Sequence, residues 1–313
     1  MSKNSEKANI IFIHKGNPEY LGYSLKQVRK SNPEANIYLL GDESNNKYDF
    51  IDHYKIADFS EGANKLAKVY EHMSTNTYQF ELFCIQRWFI LNEFVKKNNI
   101  NQFFHADSDV LIFVDIAKEF DKFKEYDFTL SQGTSGHDSF WFKTEVLNDF
   151  CDFVENIYTK KDIETYNKLK NFHENYKKTG NLGGVCDMTF LRFYKESGFA
   201  KVGESTEVIG NSTYDHNFSS SKNGLHLFKS RCSLKKILWK EGAPYGKLVN
   251  DNLVKFNTLH LQGGIKKHIK QLLNEKNICP INNIIKLGFL KTLKFFGLLN
   301  LFSKMRNFLK HNV

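Results

Sequence analysis

The sequence predicts an α/β fold, a mixed and mainly parallel sheet flanked by helices. Three observations lead there. The segments "NIIFIHKGN" (9–17), "EYLGYSLKQVRKSNP" (19–33) and "NIYLLGDES" (36–44) alternate strand, helix and strand. That spacing is a βαβ unit, whose two strands must run in the same direction. A third apolar run, "QFFHA" (102–106), follows a long helical pattern and ends, like the first two, in polar residues. Ligands of such sheets gather beyond the carboxyl ends of the strands.

The elements follow in order. The first strand is β-branched and aromatic and stops at Gly16; the first helix stops at Asn32-Pro33, since proline cannot continue it. Residues 48–74 read as a looser connection. "FELFCIQRWFILNEFVKKNN" (80–99) places Leu82, Ile85, Phe89 and Phe94 at helical spacing and ends on two asparagines. Strands are expected at "DFTLSQ" (127–132) and "SFWFK" (139–143), and an amphipathic helix at 145–161. A charged helix with a loop covers 160–182, and "NLGGVCDMTFLRFYKES" (181–197) puts a Gly-Gly turn at the mouth of another helix. Short strands and polar turns fill the rest, to "KFNTLHLQGGIKKHIKQLL" (255–273). With no internal repeat and no long linker, one catalytic-sized domain spans 1–275.

Residues 276–313 differ: seven Lys or Arg, no acid, and many large apolar residues. This reads as a basic amphipathic helix or helix pair lying on an anionic membrane surface, in preference to a helix docked on the protein's own core. The formal net charge of +9 suits an anionic partner. Its cations cluster in the tail, and no RNP-like, zinc or helix-turn-helix signature appears, so nucleic acid is not the expected partner. Five widely spaced cysteines without a CxxC indicate neither a zinc site nor a disulfide framework, and are read as reduced, mostly buried thiols. "MSKNSEKANIIFIHKG" lacks the apolar core of a signal peptide, and no apolar run approaches the ~20 residues of a membrane span. The expected location is cytoplasmic, peripherally attached to the membrane.

The chemistry centres on "HADSDVLIF". Asp107 and Asp109 fall where the third strand stops, and oxygen ligands there suit a hard cation, Mg²⁺ or Mn²⁺. In an extended strand both side chains would share one face. Alone the pair is an ordinary turn feature. Far downstream stands His260-x-x-Gly263-x-x-Lys266, offering an imidazole ligand, a close backbone approach and a cation for phosphate.

Together these pieces resemble the nucleotide-sugar-dependent glycosyltransferases of the GT-A fold, in particular the glycosyltransferase family 8-like enzymes. The resemblance implies that Asp107, Asp109 and His260 bind the metal. It further implies that Gly263 and Lys266 meet the donor diphosphate, and that Arg87 reaches the donor sugar and the Asp pair. Ser108 lies within the donor-binding motif, Ile13, His14 and Lys15 would cradle the nucleotide, and Asp42 would contact the base. The implied activity is hexosyl transfer from a nucleotide sugar, a UDP-sugar first, to a cell-surface glycan or lipid-linked saccharide, as in polysaccharide biosynthesis. Two departures stand out. Lys267-His268 replaces the family's Pro-Trp, and Met188 follows Asp187 where many relatives carry a glutamine. The stereochemical outcome is therefore left open. Asp187 is the first candidate for a base on the acceptor hydroxyl and Asp138 the second. Trp141, Phe140 and Tyr214 are read as core residues, and His105 as packing beside its strand.

Two other classes compete. A haloacid-dehalogenase-type phosphatase also carries D-x-D after an apolar strand, but has Thr or Val at the fifth position, where Leu111 stands here. A non-enzymatic basic protein binding nucleic acid or membrane would explain the charge but not the Asp pair.

Overall fold

The computed structural model describes residues 7–180, 182–223, 226–230 and 234–274. The basic tail, its membrane role and two of the cysteines, Cys232 and Cys279, lie outside the described residues.

The expected βαβ unit is present as β1 (Asn9–Ile13), α1 (Glu19–Ser31) and β2 (Asn36–Gly41), with β1 and β2 parallel and in register from Asn9↔Asn36 to Ile13↔Leu40. Asn32 ends α1 by returning its amide to the Val28 carbonyl. The stretch read as loose is ordered. It holds β3 (Asp52–Lys55), parallel to β2, and α2 (Glu61–Val69). The sequence of β3, Asp-His-Tyr-Lys, is half-exposed at a sheet edge, so it carries no apolar alternation to betray it. Next comes α3 (Tyr78–Lys97), ended by Asn98 and a left-handed Asn99, and then β4 (Phe103–Ala106), parallel to β1.

Beyond β4 follow β5 (Val110–Ile112), α4 (Phe120–Phe123), β6 (Phe128–Leu130), β7 (Asp138–Trp141), α5 (Thr144–Tyr158), α6 (Ile163–Lys178), α7 (Asp187–Ser197) and β8 (Val202–Glu204). The main sheet runs β3-β2-β1-β4-β7-β6-β8. Its pairings are parallel except β4–β7 and β6–β7, so it is mixed and mostly parallel, as expected.

Both faces are covered. Ile11, Ile13 and Leu40 pack with Trp88, Phe94 and Phe150 of α3 and α5, while Ile10, Phe12 and Leu39 pack with Leu21, Leu25 and Val28 of α1. Each large side chain so buried contributes roughly 1.5–3 kcal/mol against exposure. Trp141, Phe140 and Tyr214 lie in these layers, as read.

The last part of the chain builds β9 (Ser212–Thr213), β10 (Lys222–Asn223), β11 (His226–Leu227), β12 (Leu238–Lys240), β13 (Ala243–Lys247), β14 (Leu253–Phe256), β15 (Thr258–His260) and α8 (Ile269–Leu273). Strands β12-β13-β14-β9 form a small sheet over a third core that includes Leu111, Phe218, Phe256, Leu259 and Ile265. The decisive pairing is β15 with β5, antiparallel, Leu259 opposite Leu111 and His260 opposite Val110. No helix among the described residues is long and apolar enough to cross a membrane.

Candidate active site

Strand β4 delivers the Asp pair to the carboxyl end of the sheet, beside the loop that follows β1. There the chain turns: the Asp107 amide donates to the His137 carbonyl (2.7 Å) and the Val110 amide to the Asp107 carbonyl (3.0 Å). Asp107 and Asp109 therefore flank a turn between β4 and β5 and do not lie in a strand, which corrects the extended-strand picture. Strand β15 then closes the site, with the Leu261 amide donating to the Asp109 carbonyl (3.0 Å). One ligand atom each from Asp107, Asp109 and His260 lie within 4.8 Å of one another. Around Mg²⁺ with bonds near 2.1 Å, neighbouring ligands sit about 3 Å apart, so the ligand atoms would draw together by up to about 2 Å on binding. Two carboxylates and an imidazole fit such an ion.

On the Asp107 side the partner is Arg87, which rises from α3. Its Nη1 ion-pairs with Asp107, and Nη2 donates to Asp187 Oδ2 (2.6 Å). Trp88 Nε1 donates to the same Asp187 oxygen (3.1 Å). Burial opposes both charges, yet the two carboxylates drive Arg87 upward and the guanidinium holds Asp107 far below the usual carboxylate range. His105 does more than pack. Its Nδ1 donates to the Ile11 carbonyl (3.1 Å), and its Nε2 stands 3.6 Å behind Asp107. Asp187 is delivered by the Gly-Gly turn. At Gly184 φ is +152°, and a Cβ would lie 2.3 Å from the Met73 carbonyl oxygen, so only glycine allows the turn to reach the chain beside α3.

On the Asp109 side the partners are an ammonium and an imidazole. Lys266 Nζ lies 2.8 Å from Asp109 Oδ2, and His260 Nε2 lies 3.6 Å from Oδ1. His260 Nδ1 faces the His216 carbonyl at 2.8 Å and must donate to it, which leaves Nε2 as the ligand atom. Burial disfavours the imidazolium, but the hydrogen bond and charge of Asp109, with Asp107 behind, raise His260 to about 9. Gly263, at φ +59°, starts the turn that carries Lys266, and Ile265 and Ile269 anchor that turn in the third core.

The remaining expected residues divide. Ser108 Oγ and His14 Nδ1 meet at 2.8 Å on the floor of the site. Lys15 is exposed, 4.3 Å above the Phe83 ring. The side chain of Ile13 belongs to the core, so only its backbone is left to meet a ligand. Asp42 accepts the amides of Gly16 (2.6 Å) and Ser44 (2.9 Å) and so shapes the loop after β1. Asp138, the second candidate base, lies inside the sheet. It is wholly buried on β7, accepts the Thr258 hydroxyl (2.7 Å), and burial pushes its pKa well up. Cys84, Cys151 and Cys186 are free thiols, and burial pushes Cys186, the neighbour of Asp187, up to about 11. A layer beneath the site was not foreseen: His137, Asp215, His216 and Lys235. Its only trace in the sequence is a histidine and an aspartate inside a polar, turn-like segment.

Neither any family model nor any curated protein matches the chain. Solved structures similar to it include mouse xyloside xylosyltransferase 1 in its apo form, 8% identical over 66% of this chain and 88% of that one, with TM-score 0.44. An active-site mutant of LgtC is 12% identical over 88% and 98%, with TM-score 0.44. The glycosyltransferase GlyE of Streptococcus pneumoniae TIGR4 is 15% identical over 63% and 45%, with TM-score 0.34; this chain spans under half of that protein. Likeness this distant leaves the chemistry to be argued from the site itself.

Proposed function

We propose that this chain is a divalent-metal-dependent glycosyltransferase. It would move a sugar, of hexosyl type, from a nucleoside-diphosphate donor (a UDP-sugar first) to a glycan or lipid-linked saccharide. The observation that carries the reading is the meeting of Asp107, Asp109 and His260 within 4.8 Å at the carboxyl end of the main sheet, with Lys266 at its edge. Asp107, Asp109 and His260 would hold Mn²⁺ or Mg²⁺, which when bound supplies positive charge to the leaving diphosphate. The bond from the anomeric carbon to phosphate oxygen breaks, its electron pair leaves with the diphosphate, and the acceptor oxygen bonds to the same carbon.

Lys266 would turn from Asp109 to the departing phosphate oxygens and neutralise them. His14 and Lys15, with the backbone of Ile13, Ser108 and Gly263, would line the nucleotide and diphosphate. Arg87 keeps Asp187 beside the metal carboxylates. Both contacts described for Asp187 fall on Oδ2, so Oδ1 would receive the acceptor proton in an inverting reaction or orient the sugars in a retaining one. In a dehalogenase-type phosphatase Asp107 would be the nucleophile, and it would first have to shed Arg87.

Purified protein should bind UDP only in the presence of Mn²⁺ by calorimetry, and should release UDP and not inorganic phosphate from a matching UDP-sugar. Full transfer by Asp109→Ala would remove the metal from the mechanism. The acceptor reading draws on the basic tail. Removing residues 282–313 should free the protein from anionic vesicles, and undiminished sedimentation with them would remove the membrane role.

A further inference from the structure

Beneath the metal site lies an ion pair that the proposed chemistry does not use. Lys235 Nζ and Asp215 Oδ1 are 2.9 Å apart, and both side chains are 0% exposed. Burying two charges is costly, and well-packed apolar residues often serve stability as well or better. What such a pair adds is direction. We propose that the Asp215–Lys235 pair positions His260, holding its ring so that Nε2 alone is open to a divalent cation; the inference rests on the metal reading above.

The contacts converge on one ring. Asp215 Oδ2 accepts the backbone amide of His260 (3.0 Å), and the next carbonyl, that of His216, accepts His260 Nδ1–H (2.8 Å). His137 donates from Nε2 to the Asp215 carbonyl (3.1 Å) and stacks on the His260 ring, with centroids 3.8 Å apart and planes 19° apart. The segment is thus in contact with His260 at its backbone and at Nδ1, and through His137 it covers one face of the ring. Lys235 fixes that segment in turn. Besides Asp215 it donates to the carbonyls of Asn217 (2.6 Å) and Ser220 (2.5 Å), and Asp215 Oδ1 also accepts the Asn217 amide (3.2 Å). Lys235 itself has no described contact with Asp107, Asp109 or His260. It is a positioning residue, acting through the turn it ties down.

The test is Mn²⁺ affinity of the full chain, read by electron paramagnetic resonance, alongside the melting temperature. Lys235→Met should weaken Mn²⁺ binding about 10–100-fold, the range seen when outer partners of metal ligands are lost. Because a lone buried carboxylate can unfold the protein, the second variant is Asp215→Asn with Lys235→Met. It carries no buried charge and keeps an acceptor for the His260 amide, but leaves the 217–220 turn untied. It should melt near the wild type and still bind Mn²⁺ about tenfold or more weakly. Wild-type affinity in that folded double variant would overturn the inference and leave the metal reading standing. Failure of both variants to fold would also overturn it, since the pair would then hold the fold and not aim one ring. Mn²⁺ binding by the wild type no tighter than by His260→Ala would overturn both readings.

Discussion

The two aspartates of the site face each other but are held in opposite ways. Asp107 is tied to Arg87, a guanidinium that keeps its proton at any ordinary pH and is itself tied to Asp187. Asp109 is held by Lys266, a flexible ammonium that can swing away, and by His260, a fixed imidazole that can lose its proton. The first half is a preset frame; the second is a set of stand-in cations. A metal would therefore enter at Asp109, displacing charge that is already there, and Asp107, held by Arg87, would complete the set.

That contrast can be broken or sharpened. The largest effect should come from Arg87→Met, which leaves Asp107 and Asp187 without their shared partner. Breaking a fully buried pair costs about 3–5 kcal/mol, and this one, with side chains 17% and 24% exposed, should cost somewhat less; the melting temperature should still drop by several degrees in calorimetry, and an unchanged value would deny the frame. Next, Asp109→Ala or His260→Ala should abolish Mn²⁺-dependent UDP binding with the fold kept in circular dichroism. Lys266→Met should move two quantities in opposite directions. Mn²⁺ alone should bind about tenfold tighter, because Asp109 loses a competing cation, while UDP in the presence of Mn²⁺ binds about tenfold more weakly. A change of the same sign in both would deny the stand-in role.

The pH dependence is subtler. His260 is raised to about 9 without metal and must lose its proton to ligate. Mn²⁺ affinity should then climb by up to about tenfold per pH unit below 9 and level off there. Stability of the metal-free protein takes the opposite course. A histidine raised above its unfolded value contributes fully below pH 6.5, and that contribution fades as pH rises through about 9. Smallest of all should be Asp138→Asn, since burial already favours the neutral form of that carboxyl; a shift within about 1 kcal/mol is expected in chemical denaturation.

How much of this was legible in the sequence depended on range. The βαβ unit, α3 and its Asn-Asn stop follow from local periodicity and capping. The Asp pair and His260-x-x-Gly263-x-x-Lys266 were found because their residue types are unusual in combination. Strand β3 was missed because its residues are polar and half-exposed. The burial of Asp138 is not legible, because one strand residue looks like another until the chain folds. Asp215 and Lys235 were invisible because charged residues in a polar stretch look solvated, and only the folded chain shows them dry.

The pairing of β5 with β15 has a consequence for the life of the chain as it is made. His260 meets Val110 across 150 positions of sequence, from 110 to 260. The ribosome releases β1, β2 and β4 early, and they can assemble on local contacts, but the third ligand arrives only when most of the described chain is out. Such distant contacts form late. A nascent chain, or one cut before β15, would carry both aspartates without His260, so on the metal reading cation capture would report that synthesis had passed residue 260.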